Sequence, residues 1–221
     1  MKTVKQLVQL NLDDFKLYLG ILLIPFLAVQ LITAIIMVTI HPQDTVLLSG
    51  AMQTLLLGIV GFVAALAHGT ISYPQFIQFS CTRKRGLLLF AGVLGMELGL
   101  CTLLSMLLVL LENFFSLPLC RMLSGYSVLY AEEFDVVWWA FLLAAVIGAV
   151  LGLLTAALFL RFGQKGLWFA WGLWMFGCFG VQFLPWKTHT ITDWLIPLLV
   201  VFAIGALIWS VYVMLRYSLK Q

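Results

Sequence analysis

The chain has 221 residues, of which 63% are hydrophobic and 10% charged, with a net charge of +3 and a mean hydropathy of +1.11. A soluble domain of this length cannot bury so much apolar surface, so the composition excludes a soluble globular class. The apolar segments do not alternate with polar residues as barrel strands do. We therefore predict an all-α integral membrane protein, with no nucleic-acid partner indicated by so small a charge.

The first 16 residues have a different pattern from the rest of the chain. Val4, Leu7 and Leu12 fall on one side of a helix, whereas Lys5 and Gln9 fall on the other. This pattern predicts an amphipathic helix at residues 1–16 that lies in the membrane interface. The alternative is a short soluble lead-in to the first span.

Residues 17–221 are expected to form a single transmembrane domain. Crossing the hydrocarbon takes roughly 20 mostly apolar residues, and six runs of about that length follow one another. They lie at about 17–40, 46–71, 86–111, 136–160, 166–184 and 194–215. The sequence therefore predicts six transmembrane helices, with Pro25 inside the first and a Gly148/Gly152 packing pair in the fourth.

The charges indicate how these six helices are oriented. An even number of spans places both termini and the segments 72–85 and 161–165 on one side of the membrane. That side carries ten of the twelve cations, namely Lys2, Lys5, Lys16, Arg83, Lys84, Arg85, Arg161, Lys165, Arg216 and Lys220. Since cytoplasmic loops are enriched in Lys and Arg, we expect both termini and residues 72–85 in the cytoplasm.

The segment between spans two and three, SYPQFIQFSCTRKR, is more than a turn. Four of its residues share one helical face: Tyr73, Phe76, Ile77 and Ser80. Pro74 suits the first turn of a helix. We predict a short cytoplasmic helix lying across the membrane surface, followed by the basic cluster Arg83–Arg85.

Glu97 is the one carboxylate inside a predicted span, and it falls close to the midplane. Intramembrane carboxylates are costly and often functional. We expect it to be protonated, or paired with a neighbouring hydroxyl or with Gln30. Its role is either substrate contact or gating, or a hydrogen bond that pins two helices together.

Catalysis by this chain is not indicated. Glu132 and Glu133 form an acidic pair without an arginine at the spacing of membrane metalloproteases, and they fall in a predicted external loop. The three histidines are too scattered for one metal site, and no phosphate-binding loop is present in the sequence. We predict no catalytic site, no metal and no ATP site on this chain.

The run Phe79-Ser80-Cys81-Thr82-Arg83-Lys84-Arg85 resembles the S-x-T-R-K run that often precedes the third span of small Gram-positive permeases. The predicted topology resembles that of type-2 ABC exporter permeases, whose ATPase is a separate chain. The resemblance implies that residues 72–85 are the coupling helix that docks on the ATP-binding subunit. The residues carried over are Tyr73, Phe76, Ile77, Phe79, Ser80, Thr82, Arg83, Lys84 and Arg85.

The resemblance further implies a bacterial plasma-membrane protein that contacts lipid and pairs with a second permease, identical or related. Two ATP-binding subunits would carry the ATP and Mg²⁺, and the exported cargo would be an amphipathic peptide, lipid or drug. The short segment between spans five and six departs from larger relatives, which have an external helical hairpin there.

Two other interpretations remain open at the level of sequence. The first is an ion-coupled secondary transporter that uses Glu97. The second is a non-transporting immunity or sensor-associated subunit, in which Arg83–Arg85 only anchor the chain by the positive-inside rule. Only the permease would depend on an ATPase, so a test of ATPase dependence distinguishes it from both alternatives.

Overall fold

The computed structural model describes residues 2–47, 49–78, 82–126, 130–133, 138–180 and 189–217. These residues are helical except for short connections and two four-residue strands. The α-helices are α1 (Lys2–Ile40), α2 (Ser49–Ala67), α3 (Tyr73–Gln78), α4 (Arg83–Leu111), α5 (Leu117–Ser124), α6 (Trp138–Phe162), α7 (Gln164–Gly180) and α8 (His189–Arg216). Two π-helices, His68–Ser72 and Glu112–Ser116, and two strands, β1 (Asp44–Leu47) and β2 (Tyr130–Glu133), complete the elements.

Long apolar helices dominate the structure. Four helical runs in the described residues are long and apolar enough to cross a membrane: Phe15–Ile40, Ser49–Ile77, Arg83–Ser124 and Trp138–Phe162. Leu88 is 71% exposed while Gln53 is 0% exposed, the reverse of a soluble protein. An apolar exterior over a partly polar interior is consistent with a membrane location. The predicted helical membrane class is thus confirmed at this level, and the six-span count stays a prediction.

The first helix contains both the predicted interfacial segment and the first predicted span, whose apolar run begins at Phe15. α1 runs without a break from Lys2 to Ile40 and contains Pro25. At 1.5 Å per residue, a helix of this length extends about 58 Å. His41 ends it with a positive φ of 47°, and Pro42 follows, as is common after helix C-termini. The interfacial position of residues 1–16 stays a prediction.

The residues group into two compact units, a division that the sequence does not predict. One unit comprises Met1–Val60 and Met96–Val146, and the other comprises Gly61–Gly95 and Ile147–Gln221. Three helices, α2, α4 and α6, contribute residues to both units.

The first unit contains the two strands, which correct the expectation of an all-α chain. β1 pairs with β2 in parallel, with Asp44 opposite Tyr130 and Leu47 opposite Glu133. We expected the second span to begin at Val46, but that residue belongs to β1 and α2 begins at Ser49. Residues 44–47 and 130–133 are far apart in sequence, so a local pattern does not predict that their backbone N–H and C=O groups bond to each other.

In the second unit, glycines bring helices close together. A Cβ atom added to Gly152 on α6 would collide with the carbonyl oxygen of Phe62 and lie 2.9 Å from the Cβ of Ala65. A Cβ added to Gly69, in the first π-helix, would lie 2.6 Å from the Cβ of Ala156. The packing role predicted for Gly152 is therefore confirmed.

Candidate functional site

The segment predicted to dock on a partner is a continuation of α2 in the second unit. α2, the first π-helix and α3 follow one another without a break from Ser49 to Gln78. The short helix expected after the second span is present as α3, continuous with the helix before it, and its position at the membrane surface stays a prediction. Pro74 has no N–H to give to the preceding turn, which suits a change of helix type here. Phe79 and Ser80 lie outside the described residues.

Tyr73 holds this segment against two other helices. Its side chain is 0% exposed, and its hydroxyl donates a hydrogen bond of 2.5 Å to the carbonyl oxygen of Met214 on α8. Its ring meets that of Phe90 on α4 edge to face, with centroids 6.4 Å apart. Tyr73 therefore fixes the segment to α4 and α8, and its buried side chain is not exposed for the docking contact that the resemblance implies.

Phe76 and Ile77 occupy an intermediate position. Both are partly exposed, and Phe76 packs near Gly86 on the first turns of α4, where an added Cβ would lie 3.7 Å from the Cβ of Phe76. Part of each side chain remains accessible to another molecule.

The three cations predicted to follow the segment form the start of α4. Thr82 caps this helix, since its Oγ1 accepts a hydrogen bond of 3.4 Å from the backbone N–H of Arg85. The guanidinium of Arg83 donates a hydrogen bond of 3.3 Å to the carbonyl oxygen of Leu215, near the end of α8. Arg83, Lys84 and Arg85 are all exposed. Thr82 and Arg83 also bond to backbone groups of the chain, and all three cations contribute outward charge.

Replacing Tyr73 with Phe tests whether the segment is held in this way. The variant keeps the ring against Phe90 but removes the hydrogen bond to Met214, and we expect a loss of about 1 kcal/mol. Thermal unfolding of the detergent-purified chain measures it. Tyr212→Phe is the matched control, because Tyr212 is 46% exposed and stacks with Arg216 through its ring. Equal melting temperatures for the two variants would show that the hydrogen bond from Tyr73 to Met214 does not stabilise the chain.

The other candidate site is a buried polar face on α4 in the first unit. Four buried residues, Glu97, Cys101, Ser105 and Glu112, recur at positions within an arc of about 80° on an ideal helix. Glu97 is 2% exposed, so its predicted burial is confirmed. Ser105 donates to Gln53 Oε1 at 3.4 Å, and Gln53 Nε2 donates to the carbonyl oxygen of Leu22 at 3.2 Å. These bonds join α4, α2 and α1.

Gln30 bonds to two residues of the second π-helix. Its Nε2 donates to Glu112 Oε1 at 2.6 Å, and its Oε1 accepts from the Ser116 hydroxyl at 2.9 Å. Both atoms of the amide are therefore engaged by the second π-helix. Glu112 is 4% exposed, although it falls just after the third predicted span.

The position of Glu112 was accessible from the sequence. Counting α-helical turns forward from Glu97 places residue 112 on the same face as Cys101 and Ser105. The helical run continues beyond Glu112 through the second π-helix into α5, which begins at Leu117. The third predicted span ended at residue 111, one residue before this carboxylate.

Within the described residues, no three His, Cys, Asp or Glu side chains lie together as ligands for a metal ion. His68 lies buried in the first π-helix, with its Nδ1 3.0 Å from the Ser72 hydroxyl. No protein-family model, curated protein or solved structure matches this chain. The functional argument therefore depends on the two sites themselves.

Proposed function

We propose that this chain is a permease subunit of an ATP-driven membrane exporter, powered by two separate ATP-binding subunits that carry ATP and Mg²⁺. The observation that supports this best is the exposed pair Lys84 and Arg85 at the start of α4, beside the segment that Tyr73 and Arg83 tie to α8. A chain without its own phosphate-binding loop must receive work through such a contact.

The position of the two cations is electrostatically unfavourable within the chain alone. The N-terminus of a helix carries a partial positive charge, and cations in its first turn cost typically 0.3–1 kcal/mol each at low ionic strength. Arg83 offsets this by donating to a carbonyl near the C-terminus of α8, where the partial charge is negative. Lys84 and Arg85 are exposed at the same helix start. Acidic residues of a partner, or anionic headgroups, would compensate them.

The segment also contacts two other helices through which a movement at α3 can be transmitted. A push on α3 acts on Tyr73, whose ring and hydroxyl contact α4 and α8 respectively. Three helices of the second unit would therefore respond together. A second permease, the same or related, would complete the path for an amphipathic cargo. Both termini and this segment would lie on the cytoplasmic side of a bacterial plasma membrane.

Charge reversal at the two exposed cations tests the proposal. We expect Lys84→Glu/Arg85→Glu to reduce co-purification with the proposed ATP-binding subunit at least tenfold, because attraction becomes repulsion. Immunoblotting of detergent pull-downs measures the bound ATPase. Lys165→Glu is the control, since Lys165 is also exposed and lies in the predicted cytoplasmic turn. Undiminished binding by the double variant would contradict docking at this site.

The second candidate function is ion-coupled secondary transport. It is favoured by the burial of Glu97 on a polar face of α4. Transport that follows an ion gradient, needs no ATPase and fails in Glu97→Gln would support it over the exporter.

A further inference from the structure

Two arginines from different helices lie at the C-terminal end of α8 in the second unit. The guanidinium of Arg83, at the start of α4, donates its hydrogen bond to the carbonyl oxygen of Leu215. The guanidinium of Arg216, the last residue of α8, lies over the Tyr212 ring, with its Cζ 4.6 Å from the ring centroid. Both arginines are exposed, so two cations share this part of the surface.

A third exposed arginine, Arg161, approaches the same helix from the end of α6. Its Cζ lies 5.9 Å from the centroid of the Trp209 ring and 5.3 Å from that of Phe162. On an ideal α-helix Trp209, Tyr212 and Arg216 fall within an arc of about 60°, and the first and last of them are about two turns apart. The three arginines therefore lie along the last two turns of α8. We call them the arginine cluster: Arg83, Arg161 and Arg216.

The second unit does not offset the charge of the arginine cluster. Residues 61–95 and 147–221, which make up the unit, contain one acidic side chain, that of Asp193. Asp193 lies near the start of α8, about 35 Å from Arg216 along the helix axis. The helix dipoles do not compensate the cluster either. Since α4 and α7 begin at this end while α6 and α8 finish there, their partial charges of about ±0.5 largely cancel.

We propose that the arginine cluster binds the headgroup phosphate of an anionic phospholipid. Trp and Tyr side chains prefer the membrane–water interface, and Trp209 and Tyr212 lie beside the cluster. The cluster is therefore at the depth of the phosphates. A guanidinium that lies over an aromatic ring keeps its in-plane N–H groups available, and this planar fork matches two oxygens of a phosphate.

The surface next to the cluster favours a lipid over a soluble phosphate. Along α8 from Tyr212 towards the middle of the helix, exposed apolar residues continue on the same side at Ile208, Ile204 and Val201. Phe162 is exposed beside Arg161. An acyl chain attached to the bound phosphate would cover this apolar surface, whereas a soluble anion would leave it uncovered.

Native mass spectrometry of the delipidated, detergent-purified full chain tests the site by titration with phosphatidylglycerol. Phosphatidylcholine with the same acyl chains is the zwitterionic reference. We expect the wild type to bind phosphatidylglycerol at least tenfold more tightly than phosphatidylcholine. Arg161→Gln/Arg216→Gln should lower the affinity for phosphatidylglycerol at least tenfold and leave that for phosphatidylcholine unchanged, because only the phosphate contacts that the headgroup charge strengthens are lost.

Two further double variants separate a site from general attraction to a positive surface. Lys84→Gln/Lys165→Gln removes the same charge from exposed side chains at the same end of the unit, and we expect it to change the affinity less than twofold. Arg161→Lys/Arg216→Lys keeps the charge but lacks the planar fork, so it should still lower the affinity at least threefold. This variant also tests the site if the glutamine pair does not fold.

Three results would overturn the proposal. The first is an equal loss of affinity in the arginine and lysine pairs changed to glutamine, which would leave only non-specific attraction. The second is equal binding of the two lipids by the wild type. The third is displacement of phosphatidylglycerol by an equal concentration of glycerol phosphate, which would assign the cluster to a soluble anion. No ATP-binding subunit is present in this assay, so its outcome is independent of the proposed exporter.

Discussion

Leucine in place of Gly152 is expected to lower the free energy of unfolding of the detergent-purified chain by about 3 kcal/mol, the upper end of ordinary overpacking. The reason is that the nearest obstacle is backbone. An added Cβ would collide with the carbonyl of Phe62 and lie 2.9 Å from the Cβ of Ala65. A flexible side chain could move aside, but a helix carbonyl moves only with its helix. α6 would have to separate from α2.

Gly205→Leu is the matched control for this change. Gly205 lies on α8, is exposed, and would have no atom within 4 Å of an added Cβ. Leucine also has a higher helix propensity than glycine by roughly 0.8 kcal/mol, so this variant should be as stable as the wild type or slightly more stable. Thermal melts of both variants give the comparison. If Gly152→Leu has the same melting temperature as the wild type, the close packing of α6 on α2 is refuted.

The second large effect is expected for Gln30→Leu. This change removes the donor to Glu112 and the acceptor of the Ser116 hydroxyl in one step. A buried group left without its partner costs about 1–3 kcal/mol, and more when the group is charged. Ser116 can turn back to a carbonyl of its own helix, but the carboxyl cannot. We expect a loss of about 3 kcal/mol in thermal unfolding.

Two further variants separate this mechanism from simple loss of packing. Gln53→Leu removes bonds to a backbone carbonyl and to the Ser105 hydroxyl, so it should cost less than Gln30→Leu. The double change Gln30→Leu/Glu112→Leu removes both partners, which is often nearly neutral, and should recover most of the lost stability. A double variant no more stable than Gln30→Leu would show that the bond to Glu112 is not what the glutamine contributes.

Local patterns predicted the helical class and the end of the first helix. Ile40 ends α1 where His41 and Pro42 interrupt the pattern, whereas the helical run that begins with α4 continues past Leu111 to Ser124. Composition and periodicity are properties of neighbouring residues, so they predict which stretch of the chain forms an apolar helix. The burial of Glu97 and the contact made by Gly152 followed from the same kind of reasoning.

The remaining features depend on contacts between distant residues. Nothing in the local sequence indicates that Tyr73 reaches Met214, that Gln30 reaches Glu112, or that β1 pairs with β2. The two π-helices were missed because one inserted residue changes the face of a helix without changing its composition. The contacts of Tyr73 with Met214 and Phe90 also join residues distant in sequence, so local patterns did not indicate that this aromatic side chain is buried within the chain.

Native mass spectrometry of the chain purified from its own membranes tests the proposed function most directly. We predict a complex in which two permease chains carry two ATP-binding subunits. A chain that appears without any ATP-binding subunit, under conditions in which a known ABC exporter stays assembled, would contradict an ATP-driven permease. The buried carboxyls Glu97 and Glu112 would then become the first place to look for ion-coupled transport.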